Sequence, residues 1–230
     1  FDRGFTFCLD IWGHDHHGYV PRVQAAAKVV GIPQDGLKIL LYQLVSLKRG
    51  GKRVPMSTRS GEFVTLKEIL DEVGRDACRF FFAMRNPNSQ LDFDVDLAKK
   101  KSKENPVYYV QYVHARISSI FREAEKRGIV LAQIGASGMP EKLAPEERAL
   151  ALKIGCFTDV LDECTRIFSP HPIADYLIDL GALFLKFYDV HRVLDAPEQE
   201  RMFRTALLKS AQQTVKDGLA LLGVSAPEVM

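Results

Sequence analysis

The first part of the chain alternates short apolar runs with an amphipathic segment. The aromatic-rich run at 5–12 ends at Gly13 and predicts a buried strand. The amphipathic segment at 19–30, which ends at Gly31, predicts a helix. The nearly continuous apolar run at 37–47 predicts a strand buried on both faces, as in a parallel sheet. Strand, helix and strand in this order form half of a doubly wound α/β layer.

A hairpin and two further helices follow this layer. Gly50 and Gly51 predict a turn that leads into a short second strand. Beyond a polar loop, the apolar spacing predicts helices at 65–73 and 75–85, and Gly74 suits the turn between them.

The rest of the chain has the period of helices. A turn opens the segment 86–104, and from 105 onward single apolar stripes predict four helices, at 106–127, 150–168, 173–187 and 207–222. The glycines and proline of 128–143 indicate a flexible connection. Four helices with one apolar face each predict a bundle. The fold class is therefore mixed: a partial α/β, Rossmann-like layer is followed by an all-α helix bundle.

Composition adds few constraints. The 230 residues carry a formal net charge of +2, which neither indicates nor excludes a nucleic-acid partner. No apolar run is long enough to span a membrane and no export signal is evident, so we expect a cytoplasmic protein. The four cysteines form no CxxC pair, and we expect them to be reduced and buried. The chain begins at Phe1, already next to a strand-like run, and we expect it to be the later part of a longer protein.

The histidine-rich turn HDHHG is the first candidate for chemistry. Adjacent residues on one tight turn cannot all face one ion, so we do not expect a metal site. Ligands of doubly wound sheets lie outside the carboxyl ends of the strands, where this turn is expected. Asp15 would accept from ribose hydroxyls, and His16 and His17 would face the ribose, phosphate or amino acid. The alternative is a surface turn in which Asp15 caps the following helix.

Two other polar stretches have a structural and a functional interpretation. The loop at 56–61 is rich in hydroxyls and arginine, with a glycine, and is suited to a polyphosphate, although most such loops bind nothing. Asp92, Asp94 and Asp96 alternate as in a metal loop but lack the glycine and closing glutamate of a calcium hand. Carboxylates at a helix start with lysines near its end are the favoured interpretation, because they complement the helix dipole.

Three stretches together carry a resemblance to a known family. PMSTRSGEFVTLKEILDEVGRDACRFFFAMR resembles the second signature loop (KMSKS type) of class I aminoacyl-tRNA synthetases, in the form found in arginyl-tRNA synthetases. DIWGHDHHGYVPRVQAA before it and LDFDVDLAKKKSKENPVYYVQYVHARI after it agree, and the resemblance extends to the closing GVSAPEVM. It implies the C-terminal part of a class I catalytic domain at 1–85, a connecting segment at 86–104, and a helical, DALR-type anticodon-binding domain at 105–230.

The resemblance implies an ATP-dependent ligase. The family activates arginine with ATP, whose phosphates bind Mg²⁺, and transfers it to tRNA(Arg); no protein-bound structural metal is implied. Ser57 and Arg59 would face the phosphates as catalytic residues. The remaining residues implied at the ATP and substrate site are Gly13, Asp15, His16, His17, Val54 and Met56.

Two departures qualify this resemblance. The family's fullest loop has lysines where this chain has Pro55 and Thr58; Arg59, with Lys52 or Arg53, would substitute. The HIGH-type motif and the residues that bind the arginine guanidinium are expected upstream of Phe1. We therefore expect the 230 residues alone to be inactive as a ligase.

The bundle is the candidate for tRNA contact. RNA-binding proteins stack unpaired bases on aromatic or guanidinium planes. The residues expected to supply such a surface are Tyr109, Tyr112, Arg116, Tyr188, Arg192 and Met230. Alternatively, tyrosines on bundle helices complete the core with the hydroxyl at its edge.

Three functions remain open at this point. The first is the C-terminal part of an arginine–tRNA ligase, working with arginine, ATP and tRNA(Arg) as a monomer. The second is a non-catalytic, tRNA-binding helical module, and the third is a helical interaction scaffold. A cysteine-specific synthetase is disfavoured because the zinc-ligating cysteines expected for that enzyme are not apparent in the sequence.

Overall fold

The structure, a computed structural model, describes residues 1–55, 64–129 and 140–230. Its first unit is a two-stranded parallel sheet of β1 (Cys8–Gly13) and β2 (Leu37–Tyr42), with Cys8 opposite Leu37. A 3-10 helix (His14–Tyr19) and α1 (Val20–Val29) connect the strands. The predicted strand–helix–strand order is confirmed. Residues 5–7 do not extend the strand, because the partner strand begins only at Leu37.

The predicted strand at 37–47 is wrong in two respects. All six residues of β2 are partly exposed, because in the described residues α1 and Phe168 cover only part of the sheet. The run also splits into two strands: the backbone N–H of Gln43 donates to the carbonyl of Pro87 at 3.0 Å, and β3 (Val45–Arg49) then joins a different sheet.

The second sheet has the order β4-β3-β5. The expected hairpin over Gly50 and Gly51 joins β3 to β4 (Lys52–Arg53), and both glycines have positive φ. Strand β5 (Leu91–Asp94) is parallel to β3, so the segment 86–104 contributes a strand as well as a connection.

Three helices pack around this sheet. Helix α2 (Leu66–Val73) begins with a capping box in which Thr65 and Glu68 exchange hydrogen bonds, and α3 (Arg75–Ala83) follows Gly74 at φ 84°. The side chain of Asp94 caps the short α4 (Val95–Lys99) and Asp96 lies in its first turn, which confirms the helix-start interpretation for these two carboxylates. For Asp92 the interpretation is wrong, because this residue lies in β5.

The remaining helices form the bundle. They are α5 (Pro106–Lys126), α6 (Pro145–Gly155), α7 (Phe157–Ile167), α8 (His171–Val190) and α9 (Glu198–Leu221). The predicted stripe of α5 is buried and packs against α8 and α9, which confirms the bundle. The helix predicted at 150–168 is interrupted at Cys156, directly after Gly155, a residue that weakens helices.

Two further expectations can be compared with the structure. All four cysteines are free, but only Cys78 is buried; Cys156 is exposed at the break between α6 and α7, so the expectation that all are buried is wrong. In the parts of the chain that the structure describes, no helix is both long and apolar enough to cross a membrane.

Close packing between α8 and α9 gives a stability prediction. A Cβ added at Gly218 would lie 2.8 Å from Cδ2 of Leu177, which is fully buried and has no room to move. We expect Gly218→Ala to lower the free energy of unfolding by about 1–3 kcal/mol, measured by urea denaturation. Gly155→Ala is the control, because its Cβ meets nothing within 4 Å and should leave stability unchanged or raise it. Equal stability of the two variants would contradict the packing argument.

Candidate nucleic-acid interface

An aromatic–guanidinium pair joins α5 and α8 on the surface of the bundle. Arg116 on α5 donates from Nη2 to the Tyr188 hydroxyl on α8 at 2.6 Å, and its guanidinium carbon lies 4.8 Å from the centre of the Tyr188 ring. Tyr188 in turn stacks on the buried Phe184, with ring centroids 5.9 Å apart. The Nε of Arg116 is buried and has no partner in the described residues. The pair is a flat, cationic surface held from below by the core.

This pair lines a pocket of about 300 Å³ between α5, the end of α8 and the loop that follows. We call it the bundle pocket; its polar lining is Arg116, Ser119, Glu123, Arg127, Tyr188, His191, Arg192 and Asp195. Arg127 is neutralised by Glu123 at 2.8 Å and Asp195 at 2.9 Å. In the described residues Arg116 and Arg192 form no ion pair, so they are the cations available to an anionic ligand.

A buried ion pair fixes the loop that carries Arg192. The Glu147 carboxylate on α6 accepts from the Arg204 Nε on α9 at 2.7 Å, and Arg204 Nη1 donates to the Arg192 carbonyl at 3.1 Å. The side chain of Glu147 is only 4% exposed. It also accepts from the backbone N–H of Ala144, which closes the first turn of α6. The position of Arg192 therefore depends on two other helices.

A titratable pair lies behind the bundle pocket, where His191 of its lining meets Glu146 of α6. The His191 ring packs on Phe187 with the two planes tilted by 33°, and its Nε2 lies 3.4 Å from a carboxylate oxygen of Glu146. The pKa of the Glu146 carboxyl is held below its ordinary value mainly by a hydrogen bond from the backbone N–H of Glu146 itself. The bond to His191 lowers it further. The carboxylate form of Glu146 is thus favoured beside the ring.

The other predicted tRNA residues lie outside the bundle pocket. Tyr109 is half-buried on α5 against Gly181, where an added Cβ would lie 2.9 Å from its ring, and burial raises the pKa of its hydroxyl. Tyr112 is half-buried one turn further along the same helix. Met230 is 48% exposed at the end of the segment after α9. The structure brings Arg116, Tyr188 and Arg192 together and leaves Tyr109, Tyr112 and Met230 outside the bundle pocket.

The residues predicted at the ATP site fall into two groups. The 3-10 helix places Asp15, His16 and His17 at the carboxyl end of β1, all exposed. An added Cβ at Gly13 would lie 2.5 Å from an Asp15 oxygen, so the exposed Asp15 side chain would have to rotate away from it. The alternative in which Asp15 caps the next helix is wrong: α1 begins after Tyr19 and has no side-chain cap.

The second group follows the hairpin. Val54 is partly buried, and its backbone N–H donates to the Leu47 carbonyl at 2.8 Å. The predictions for Met56, Ser57 and Arg59 fall outside the described residues.

Ion pairs fix the base of the hairpin. Asp92 binds Lys48 at 2.8 Å and Arg53 at 3.0 Å. The hydrogen bond from Lys48 is the main cause that lowers the pKa of this carboxyl. No cluster of three metal-binding side chains occurs in 1–55, 64–129 or 140–230.

Sequence reasoning missed several residues of the interface. His191 and Asp195 were within reach of a sequence argument, because they are a few positions from Tyr188 and Arg192. Glu147 and Arg204 gave no local signal, since they are 57 positions apart.

Comparisons with known proteins agree on one family. A family model for the DALR anticodon binding domain matches residues 110–230, more than half of the chain. The chain is 50% identical, over its full length, to an arginine–tRNA ligase of Syntrophotalea carbinolica, and spans 42% of that protein. It therefore spans less than half the length of the curated relatives it matches.

Solved structures give the same result. The chain superposes over 100% of its length on a Campylobacter jejuni arginyl-tRNA synthetase structure, with a TM-score of 0.86, 31% identity and 49% of that chain covered. A Thermus thermophilus arginyl-tRNA synthetase matches 98% of this chain with a TM-score of 0.80, 30% identity and 41% of its own length covered. Both the fold class and the resemblance stated from the sequence are confirmed.

The buried ion pair gives the prediction for this interface. Arg204→Met would leave the Glu147 carboxylate buried without its cation, and we expect a loss of about 3–5 kcal/mol in the free energy of unfolding. Arg166→Met is the control, because its pair with Glu163 is exposed and should change stability by less than about 0.5 kcal/mol. Chemical denaturation measures both variants. A loss below about 1 kcal/mol for Arg204→Met would contradict the role assigned to the pair.

Proposed function

We propose that this chain is the part of an arginine–tRNA ligase that contacts the anticodon of tRNA(Arg) and contributes to the ATP site. The proposal follows from the family to which the chain belongs, that of the DALR anticodon binding domain. The observation that carries the proposal is the bundle pocket, which lies within the matched residues 110–230. Residues 105–230 form the anticodon-binding domain. Residues 1–85 belong to the catalytic domain with its KMSKS-type loop, and 86–104 connect the two.

The bundle pocket suits an unpaired base with its phosphate. Its volume of about 300 Å³ admits one nucleobase, and the Tyr188 ring with the Arg116 guanidinium provides a stacking plane. Arg192 lies at the rim, where it would meet a phosphate. Tyr109, Tyr112 and Met230 would contact neighbouring nucleotides on the surrounding surface.

The N-terminal part would serve the activation of arginine. The arginine carboxylate attacks the α-phosphorus of ATP, pyrophosphate leaves, and the activated arginine passes to the terminal ribose of tRNA. Charge builds on the leaving phosphates, so the protein acts mainly by positioning and electrostatics. Ser57 and Arg59 would face those phosphates, with Mg²⁺ arriving as part of the ATP substrate.

The remaining contacts with ATP would come from two groups of residues. Gly13 and Asp15–His17 would surround the adenosine and its ribose at the carboxyl end of β1. Val54 and Met56 would meet the adenine with backbone groups. The N–H of Val54 is already bonded to Leu47, so its carbonyl is the group that would accept from the adenine.

The second candidate function is a non-catalytic tRNA-binding module. It rests on the same bundle pocket and requires none of the ATP-site residues. We propose that the protein acts in the cytoplasm as a monomer, since the bundle pocket is complete within one chain.

One experiment tests the anticodon function. Binding of the chain to tRNA(Arg) is compared with binding to the same tRNA carrying an altered anticodon, at two salt concentrations. We expect tighter binding to tRNA(Arg), with a difference that persists at high salt, because base contacts carry the specificity and phosphate contacts the salt dependence. Equal binding that disappears with salt would reject anticodon recognition.

A substitution at Tyr188 tests the stacking plane. Tyr188→Leu keeps an apolar side chain but removes the ring, and we expect affinity for tRNA(Arg) to fall about five- to hundredfold, because base–aromatic stacking is worth about 1–3 kcal/mol. Tyr188→Phe is the matched control: it keeps the ring, loses only the bond to Arg116, and should cost about tenfold or less. Filter binding or fluorescence anisotropy measures both. Equal losses in the two variants would show that the ring does not stack on a base.

A further inference from the structure

The residues after α9, 222–230, form neither a helix nor a strand. We call them the C-terminal strap. At its start the Leu222 carbonyl accepts from the Arg79 Nε on α3 at 2.7 Å. Gly223 follows with φ 68°, and an added Cβ would lie 2.3 Å from the same guanidinium. The chain thus turns away from α9 directly over Arg79, at a position that only glycine fits.

A second contact to α3 follows at Ser225. The Asp76 carboxylate accepts from the Ser225 hydroxyl and, at 2.9 Å, from the side-chain amide of Gln111 on α5. Val224, between the two anchor points, is buried. The first half of the strap is therefore fixed to α3 and α5 together.

Side chains of one helix then bind three carbonyls of the strap. Gln111 donates to the Ser225 carbonyl at 3.0 Å, and the ring nitrogen Nδ1 of His114 bonds the Pro227 carbonyl at 2.9 Å. Arg122 donates from Nη1 to the Glu228 carbonyl at 3.0 Å. The three donors rise along α5 in the same order as their acceptors along the strap, so the strap runs beside α5 in the direction of that helix.

These contacts determine where Met230 lies. Backbone carbonyls in an extended segment have no partner in a helix or sheet, so the side chains that bind them decide its path. His114 is 3% exposed, which makes its bond to the strap part of the packed interior. Arg122 binds nearest to the end, two residues before Met230.

We propose that Gln111, His114 and Arg122 are positioning residues that hold the C-terminal strap so that the Met230 side chain meets the tRNA on the opposite flank of α5 from the bundle pocket. The proposal rests on the proposed function, because it assigns these residues a role in the same tRNA surface. They act through Met230 and need not touch the RNA. Helix α5 thereby contributes to the proposed tRNA-binding surface in two ways: directly through Arg116, and indirectly through Arg122, which holds the strap.

Arg122→Met tests the proposal, with Lys126→Met as the matched control. Both remove one positive charge from the same helix, but in the described residues only Arg122 of the two forms a hydrogen bond with the strap. With methyl-labelled methionine, NMR of the free chain should show the Met230 signal sharpening and shifting towards its random-coil position in Arg122→Met only. The chain has five methionines and each variant has six, so Met230→Ala in all three backgrounds assigns the signal.

Binding to tRNA(Arg) supplies the second measurement. We expect Arg122→Met to weaken binding about three- to tenfold, the size of one lost hydrogen bond, with an unchanged slope of affinity against salt. In a Met230→Ala background the same substitution should have almost no effect on tRNA binding, because Arg122 acts only through the Met230 side chain. Urea denaturation should give similar stabilities for the wild type, Arg122→Met and Lys126→Met.

The outcomes separate the two proposals. If the Met230 signal is unchanged in Arg122→Met, the strap does not position it, whatever the tRNA data show. If the salt slope becomes shallower and the loss persists in Met230→Ala, Arg122 contacts a phosphate directly and the positioning role is rejected. If the wild-type chain does not distinguish anticodons while the NMR shift is present, the proposed function fails and the strap remains a structural device only.

Discussion

The burial of α5 by several partners is the constraint on which the other parts of the molecule depend. Its apolar stripe, Val110, Val113 and Ile117, is fully buried and packs against α8 and α9. Side chains beside the stripe point in other directions: Gln111 reaches α3 and the strap, and Arg116 reaches Tyr188. Because a helix is rigid over its length, packing of the stripe sets the relative positions of the other two sets of contacts.

The sequence predicted those parts of the fold that a local period defines. The bounds of α5 and the apolar faces of α8 and α9 follow from the helical spacing of their apolar residues. The run at 37–47 has no such period, so nothing in it marks where the chain leaves one sheet for the other. That point is set by the bond between Gln43 and Pro87, which are far apart in the sequence. The break at Cys156 was missed because the apolar spacing continues through it.

The candidate site likewise has residues that the sequence identified and residues that it did not. Residue type alone identified Arg116, Tyr188 and Arg192, because aromatic rings and guanidinium groups are what RNA-binding surfaces need. What holds them could not be found from the sequence. Arg204 fixes the carbonyl of Arg192 and is itself fixed by Glu147. In the sequence, Glu147 indicates only the first turn of a helix. The strap is more remote still, since Arg122 and Glu228 are 106 positions apart. Contacts at such separations are products of the folded packing.

One backbone feature shows how the N-terminal sheet is attached to the bundle. Phe168 ends α7 in the left-handed conformation, φ 56° and ψ 44°, which costs a residue with a side chain about 1–2 kcal/mol. Its ring stacks on Phe7 at 5.3 Å and lies 4.3 Å from the Lys38 ammonium on β2. A stacked pair and a cation–π contact are each worth about 0.5–1.5 kcal/mol, enough to offset the backbone cost. Glycine would relieve the strain but would remove the ring, so the sequence retains a strained residue where the sheet meets the bundle.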